Sequence, residues 1–357
     1  MSVATNAPPA PGDTAARPAS RNPVRRPRIW VLGGTLALLL VALSITGATV
    51  DTDSGHDLLG LTRKVAGDIA VLRWQYAAVV VVLAALHYLA TALAAKAAAG
   101  VPLRLGETVL VQLSAAAANR ITPAGLGGSA LTARFFTRRG LDGPAAIGAV
   151  SALAVLGAFA DLIVLCGLVL VGTWLGIGGG SSEVTLLYTH MRHLLGPLRS
   201  PWLWSAVLAA VAGALVIWLV HTRRRRGSGL ARFWVPIRRL ARRPRALGTL
   251  MTASGATTLL LGIAFVASTA MVPGTHPSVT FAGLLVAFMI GAAAGSAVPV
   301  PAGLGSTEAA LVAVLMSAHV PAGHAVEVVM IFRLITFWAP AVVGVFASRR
   351  LYRLAAL

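Results

Sequence analysis

Six stretches of this chain, residues 29–50, 74–99, 144–173, 201–221, 248–271 and 324–347, stay predominantly apolar for about twenty residues or more. At ~1.5 Å per residue each covers the ~30 Å hydrocarbon layer of a bilayer as a helix. No water is available there to satisfy a bare backbone, so only helices and closed barrels can cross. The runs are continuous rather than alternating, which selects helix. With only 11% charged residues, against roughly 25% in soluble domains, the chain reads as an all-α polytopic membrane bundle.

Inside this apolar background one stretch is out of place, and it occurs twice. Pro123-Ala124-Gly125-Leu126-Gly127-Gly128-Ser129-Ala130 returns as Pro301-Ala302-Gly303-Leu304-Gly305-Ser306-Thr307-Glu308. Proline and paired glycines are the poorest helix formers, so each copy breaks a membrane helix. The first broken element runs over 107–140 and the second over 280–319. Their arms are short for full spans and suit re-entrant segments, although flanking charge alone leaves both possibilities open. Broken backbone at membrane depth is tolerated only against protein or a wet cavity, so each break is expected to line a pocket. Six full spans plus two broken or re-entrant hairpins make eight helical segments by hydropathy.

The formal net charge of +19 would suggest nucleic acid in a soluble protein. Its distribution says otherwise. With the N-terminus inside, 23 Lys and Arg fall in cytoplasmic segments, 5 outside (Arg63, Lys64, Arg73, Arg192, Arg199) and 2 within the membrane (Arg120, Arg333). This is a positive-inside pattern, with both termini cytoplasmic in the plasma membrane, and it leaves no case for nucleic acid. Residues 1–28 form a basic, proline-rich disordered tail, and 29–173 a first membrane repeat. An outer loop, 174–200, leads to a second repeat, 201–347, and residues 348–357 are a cytoplasmic tail. A polar segment, 51–73, has the spacing of an amphipathic surface helix. The arginine-rich segment 222–247 carries Leu230, Phe233, Trp234, Ile237 and Leu240 among ten arginines. It either lies on the anionic inner leaflet or only sets topology. By this count the two broken elements enter from opposite sides, the inverted-repeat pattern of transporters.

The helix restarting after each break offers free N–H groups and a positive dipole end to an anion such as a lipid phosphate. Ser129 and Ser306 either help to hold such an anion or serve only as N-caps. Arg120 and Arg134 flank the first break with no acid nearby, which makes it the better phosphate site. Glu308, beside Thr307, puts a carboxylate in the first turn after the second break. There it complements the dipole, or binds a proton or a headgroup ammonium. Asn119 is expected to bond freed backbone, and His87 reads as a satisfied buried histidine. Asp161 and Arg333 both fall near mid-depth, where a lone charge costs at least ~2.5 kcal/mol, so they are expected to face each other. That pair is either a substrate element or a fixed ion pair. Pro123, Gly125, Gly127, Gly128, Pro301, Gly303 and Gly305 complete the candidate substrate site. No Cys/His spacing suggests a metal, no cofactor is indicated, and neither glycine motif has the context of a nucleotide loop.

The 119–140 stretch resembles the lysylphosphatidylglycerol synthase transmembrane region family, which includes the MprF flippase domain and YbhN-like proteins. The run Pro299-Val300-Pro301-Ala302-Gly303-Leu304-Gly305-Ser306-Thr307-Glu308-Ala309-Ala310, followed by Arg333-Leu334-Ile335-Thr336-Phe337-Trp338-Ala339-Pro340, carries the resemblance more distinctly. It extends over 29–350. It implies a flippase-like fold that moves a lipid or lipid-linked group between leaflets. Where the family often carries an acid after the first glycine motif and a Glu-Arg pair before the span 3 aspartate, this chain has Gly128-Ser129 and Gly157-Ala158-Phe159-Ala160. An aminoacyl-transferase domain is not expected after Leu357. The sequence therefore points to a non-enzymatic translocator of an anionic or aminoacylated lipid or lipid-linked substrate. A lipid-linked transferase, or a membrane partner of a lipid- or glycan-modifying enzyme, stands as the alternative.

Overall fold

The computed structural model describes residues 71–120, 122, 126–174, 228–297 and 305–353. The chain divides into two compact units, Met1–Leu40 and Val41–Leu357, and all described residues belong to the second. The expected spans at 29–50 and 201–221, the N-terminal tail, nearly all of the 51–73 segment and the 174–200 loop lie outside the described residues. So do the break residues Pro123, Gly125, Pro301 and Gly303.

Among the described residues the fold is helical, without strands. Four helical stretches are long and apolar enough to cross a membrane: Trp74–Ala99, Gly143–Leu168, Pro244–Met271 and Ala322–Leu351. The helices are α1 (Trp74–Ala99), α2 (Leu105–Asn119), α3 (Leu126–Arg138), α4 (Gly143–Trp174) and α5 (Ser228–Ala241). They continue as α6 (Pro244–Met271), α7 (Phe281–Ala297), α8 (Ser306–Ser317), α9 (Ala322–Arg333) and α10 (Ala339–Arg353). A single π turn, Leu334–Trp338, joins the last two. Pro340 accounts for it: proline has no N–H to give, and its ring crowds the carbonyl four residues back, so the ladder loosens just before it.

Helices α1 and α6 run antiparallel, since the Arg73 N–H at the start of one donates to the Met271 carbonyl at the end of the other, 3.0 Å away. This pair defines two ends of the bundle. At the Met271 end, Phe265, Phe288 and Phe332 pack with ring centroids 5.3–5.7 Å apart. Val80, Leu311, Leu315, Val328 and Val329 complete that core. At the other end Phe135 and Phe136 pack with Ala95, Ala99, Val111, Ala146, Ala149 and Leu351.

Each core encloses the base of one broken hairpin. The α2–α3 hairpin is closed at its base by Glu107, which pairs with Arg139 and, at 3.8 Å, with Arg104. The α7–α8 hairpin is closed at the opposite end, where the Ser278 N–H donates to the Ala318 carbonyl at 3.0 Å. The hairpins thus enter the bundle from opposite ends. Lys96, Arg104, Arg138, Arg139, Arg239, Arg243 and Arg350 belong to the end capped by Phe135 and Phe136.

Helix α5 shows where the arginine-rich segment goes. It packs on α4, with the Phe233 carbonyl against Gly148. Leu240 is buried, Ile237 is half-buried, and Trp234 is exposed. Helix α10 lies equally close to α2: a Cβ on Gly344 would collide with the Leu113 carbonyl oxygen. Backbone cannot move aside as a side-chain tip can, so Gly344→Ala should destabilise by about 1–3 kcal/mol. Gly106, exposed and with open space around it, supplies the control: Gly106→Ala should leave thermal unfolding in detergent unchanged while Gly344→Ala melts earlier.

Candidate functional site

The two broken hairpins meet in the middle of the bundle, on the π turn. Arg120 caps the C-terminal end of α2. Its Nη1 donates to the Ala116 carbonyl and its Nη2 to the Phe337 carbonyl. Its guanidinium carbon sits 3.9 Å from the centre of the Phe337 ring. The guanidinium of Arg333, the last residue of α9, sits 4.3 Å from the same ring. The two cations therefore lie within about 8 Å of each other across one aromatic side chain, a favourable contact for each.

Arg333 has an acidic partner, and among the described residues Arg120 has none. Glu308, in the first turn of α8, accepts from Arg333 Nε at 2.7 Å through Oε1. Its Oε2 accepts the Gly305 N–H at 2.8 Å. Gly305 has φ 82°, a conformation that favours glycine and sets the direction of the new helix. One carboxylate thus secures the helix start after the second break and also neutralises one of the arginines.

Two buried guanidinium donors have no acceptor among the described residues: Arg120 Nε and Arg333 Nη2. Buried N–H groups on a cation are costly to leave unmade. Two like charges no more than about 8 Å apart repel by roughly 2 kcal/mol or more at an effective dielectric of 20. A site with these features favours an anion.

Mid-depth placement follows from α1. Tyr88, close to Arg120, lies about 22 Å along α1 from Arg73 at ~1.5 Å per residue. The neighbouring His87 faces α6, its Nδ1 3.2 Å from the Thr257 carbonyl. The His87 and Tyr88 rings meet edge to face at 5.1 Å. Next along α6, Thr258 donates its hydroxyl to Asp161 of α4. Two separate sets of polar contacts thus lie at this level: Asp161 with Thr258 and His87 with the Thr257 carbonyl along α6, and Arg120 with Arg333 and Glu308 around Phe337.

Several sequence-based expectations change. The Asp161–Arg333 pair does not form: Arg333 pairs with Glu308, and Asp161 with the Thr258 hydroxyl. The sequence placed Asp161 and Arg333 at similar levels along their helices, but level says nothing about the direction a residue faces around its helix axis. Neither serine is an N-cap. Helix α3 begins at Leu126, so Ser129 lies inside the first turn and donates to the Leu126 carbonyl. Ser306 follows the Gly305 N-cap and donates to the Gly295 carbonyl at 2.8 Å.

The free N–H groups at the first break already have partners. Gly127 donates to Thr122 Oγ1 at 2.8 Å, and Gly128 donates to Asn119 Oδ1. Asn119 therefore takes the backbone-satisfying role expected of it. Arg134 is exposed on α3, and no contact joins it to Arg120 among the described residues. Thr307 backs onto Gly295, which leaves no room for a Cβ there. Tyr88, Thr122, Thr258 and Phe337 were not candidates. A tyrosine next to a mid-span histidine, and an aromatic in the turn before Pro340, were the available signals.

A family model described as lysylphosphatidylglycerol synthase TM region matches residues 30–344. The chain belongs to this family. As a member of it, the chain is a multi-pass membrane protein of helical spans. No curated protein matches it.

The Glu308–Arg333 assignment is open to a double-mutant cycle. Glu308→Gln alone should cost on the order of 3 kcal/mol because it strands a buried guanidinium. Glu308→Gln combined with Arg333→Gln should cost clearly less than the two single changes together. Asp161→Asn and Arg333→Gln should instead add to within about 0.5 kcal/mol. Unfolding of the purified protein in detergent measures both, and the opposite pattern would restore the Asp161 pairing.

Proposed function

We propose that this protein is a non-enzymatic translocator that passes a lipid or lipid-linked headgroup, anionic or aminoacylated, between the leaflets of the cytoplasmic membrane. The observation that carries this reading is the convergence of two broken helices, entering from opposite ends, on a mid-depth pair of arginines with unmet donors. Charges at that depth are expensive and are kept where they line a path for something charged. The opposed hairpins support reading the chain as an inverted repeat, in which one half rocks against the other around a fixed midplane site.

By the positive-inside rule the arginine-rich end faces the cytoplasm. On this reading both termini are cytoplasmic and α5 rests at the inner leaflet. The alternative role, a scaffold that recruits an enzyme through its arginines, draws little from α5. Its Leu240 is buried and its backbone is packed on α4, so it serves the bundle rather than standing free of it. A lipid-linked transferase would require acid–base groups converging near a membrane face, and the described acids at this level, Glu308 and Asp161, are each committed to a partner.

The test is leaflet exchange in liposomes containing the purified protein, using acyl-labelled lipids and a quencher that reaches only the outer leaflet. The expected result is exchange above protein-free vesicles for at least one lipid, falling tenfold or more in Arg333→Gln. Exchange no faster than in empty vesicles across a panel of anionic, zwitterionic and aminoacylated lipids would end this reading.

A further inference from the structure

The basic residues at the bundle end capped by Phe135 and Phe136 are gathered rather than spread. Lys96, in the last turn of α1, and Arg243, just before α6, line one groove of about 420 Å³. Its wall includes Leu93, Ala97 and Ala246, with Thr249 further along α6. A narrower cavity shares Ala97, Arg243 and Ala246 with it and adds Arg239 of α5. Neither lining contains an aspartate or glutamate. None of the three cations has an acidic partner among the described residues. Cations collected on one recess without a counter-charge favour an anion there.

The groove also has a direction. Because α1 and α6 are antiparallel, Ala99 and Pro244 lie at the same end, and Leu93 and Thr249 sit about 8 Å inward from them at ~1.5 Å per residue. Charge is therefore at the rim and apolar surface below it. Lys96, Arg243 and Thr249 are exposed, so the groove opens on the outside of the bundle, where the bilayer is. A soluble anion would use the rim alone, whereas a phospholipid matches both parts. We propose that this groove binds one anionic phospholipid of the surrounding bilayer as a resident ligand, not as cargo. Its phosphate meets Lys96, Arg239 and Arg243, and its acyl chains lie along Leu93, Ala97 and Ala246. Lys96 is about 12 Å along α1 from Tyr88, the neighbour of Arg120, so this place is separate from the mid-depth arginines. Arg243 joins α5 to α6: its N–H donates to the Leu240 carbonyl and its carbonyl accepts the Leu247 N–H, both at 3.0 Å. A lipid held there ties α5 to α1 and α6.

The experiment is thermal unfolding of the full-length protein in detergent with phosphatidylglycerol, phosphatidylcholine or inorganic phosphate added. Phosphatidylglycerol should raise the unfolding temperature by about 3 °C or more above phosphatidylcholine, because a ligand bound only by the folded state stabilises it. Lys96→Gln combined with Arg243→Gln should remove most of that gain. Arg238→Gln, at an exposed arginine of α5 outside both cavities, should keep it. Thr249→Trp fills the groove from an exposed position and leaves every charge in place, so it should also remove the gain. No rise with phosphatidylglycerol, or an equal rise with phosphatidylcholine, would overturn the proposal. An equal rise with inorganic phosphate would overturn it in favour of a soluble anion. A full gain in Thr249→Trp would overturn it in favour of diffuse surface charge. The comparison of the three additives uses the unaltered protein and so needs no variant to fold. Leaflet exchange enters none of these readouts, and the translocator reading stands or falls apart from them.

Discussion

A guanidinium placed halfway through a bilayer has to be satisfied by protein, and in this fold Arg333 is the one around which the rest is arranged. Glu308 meets it from the start of α8, and the Phe337 ring lies against it from the π turn. Arg120, arriving from the other hairpin, shares that ring and bonds the Phe337 carbonyl. Two segments nearly two hundred residues apart in the chain are thereby held at one point. The π turn is part of the arrangement, because Pro340 prevents a regular helix from continuing through Phe337.

Apolar packing and polar bonding divide the bundle between them. Hydrophobicity brings these helices into the membrane but does little to hold one against another there, since lipid tails are as apolar as leucine. Close approach and short polar links do more. Gly344 lets α10 rest on the α2 backbone, and Gly148 lets α4 rest on that of α5. Ser114 Oγ reaches the Gly344 carbonyl at 3.2 Å. The phenylalanine clusters at the two ends then anchor the hairpin bases. What lies between is a level of polar contacts.

That arrangement also separates two kinds of polar residue that look alike in a list. Asn119 and Thr122 spend their oxygens on the N–H groups of Gly128 and Gly127, so they maintain the break rather than offer a contact to a ligand. Arg120 and Arg333 each retain a donor with no acceptor among the described residues.

Much of the bundle was legible beforehand. The span read as 74–99 is helix over the same residues, and the span read as 144–173 is helix over Gly143–Trp174. Length and hydropathy suffice for this because hydrocarbon permits no alternative backbone. The duplicated Pro-Ala-Gly-Leu-Gly stretch and the isolated charges of Arg120, Glu308 and Arg333 also stood out, since glycine, proline and charge are conspicuous in an apolar chain. Which charge meets which was not. Sequence spacing gives a residue's level along its helix but not its direction around the axis, and only packed helices supply that second coordinate. For that reason Arg333 turned to Glu308 rather than Asp161, and Arg120 to Phe337.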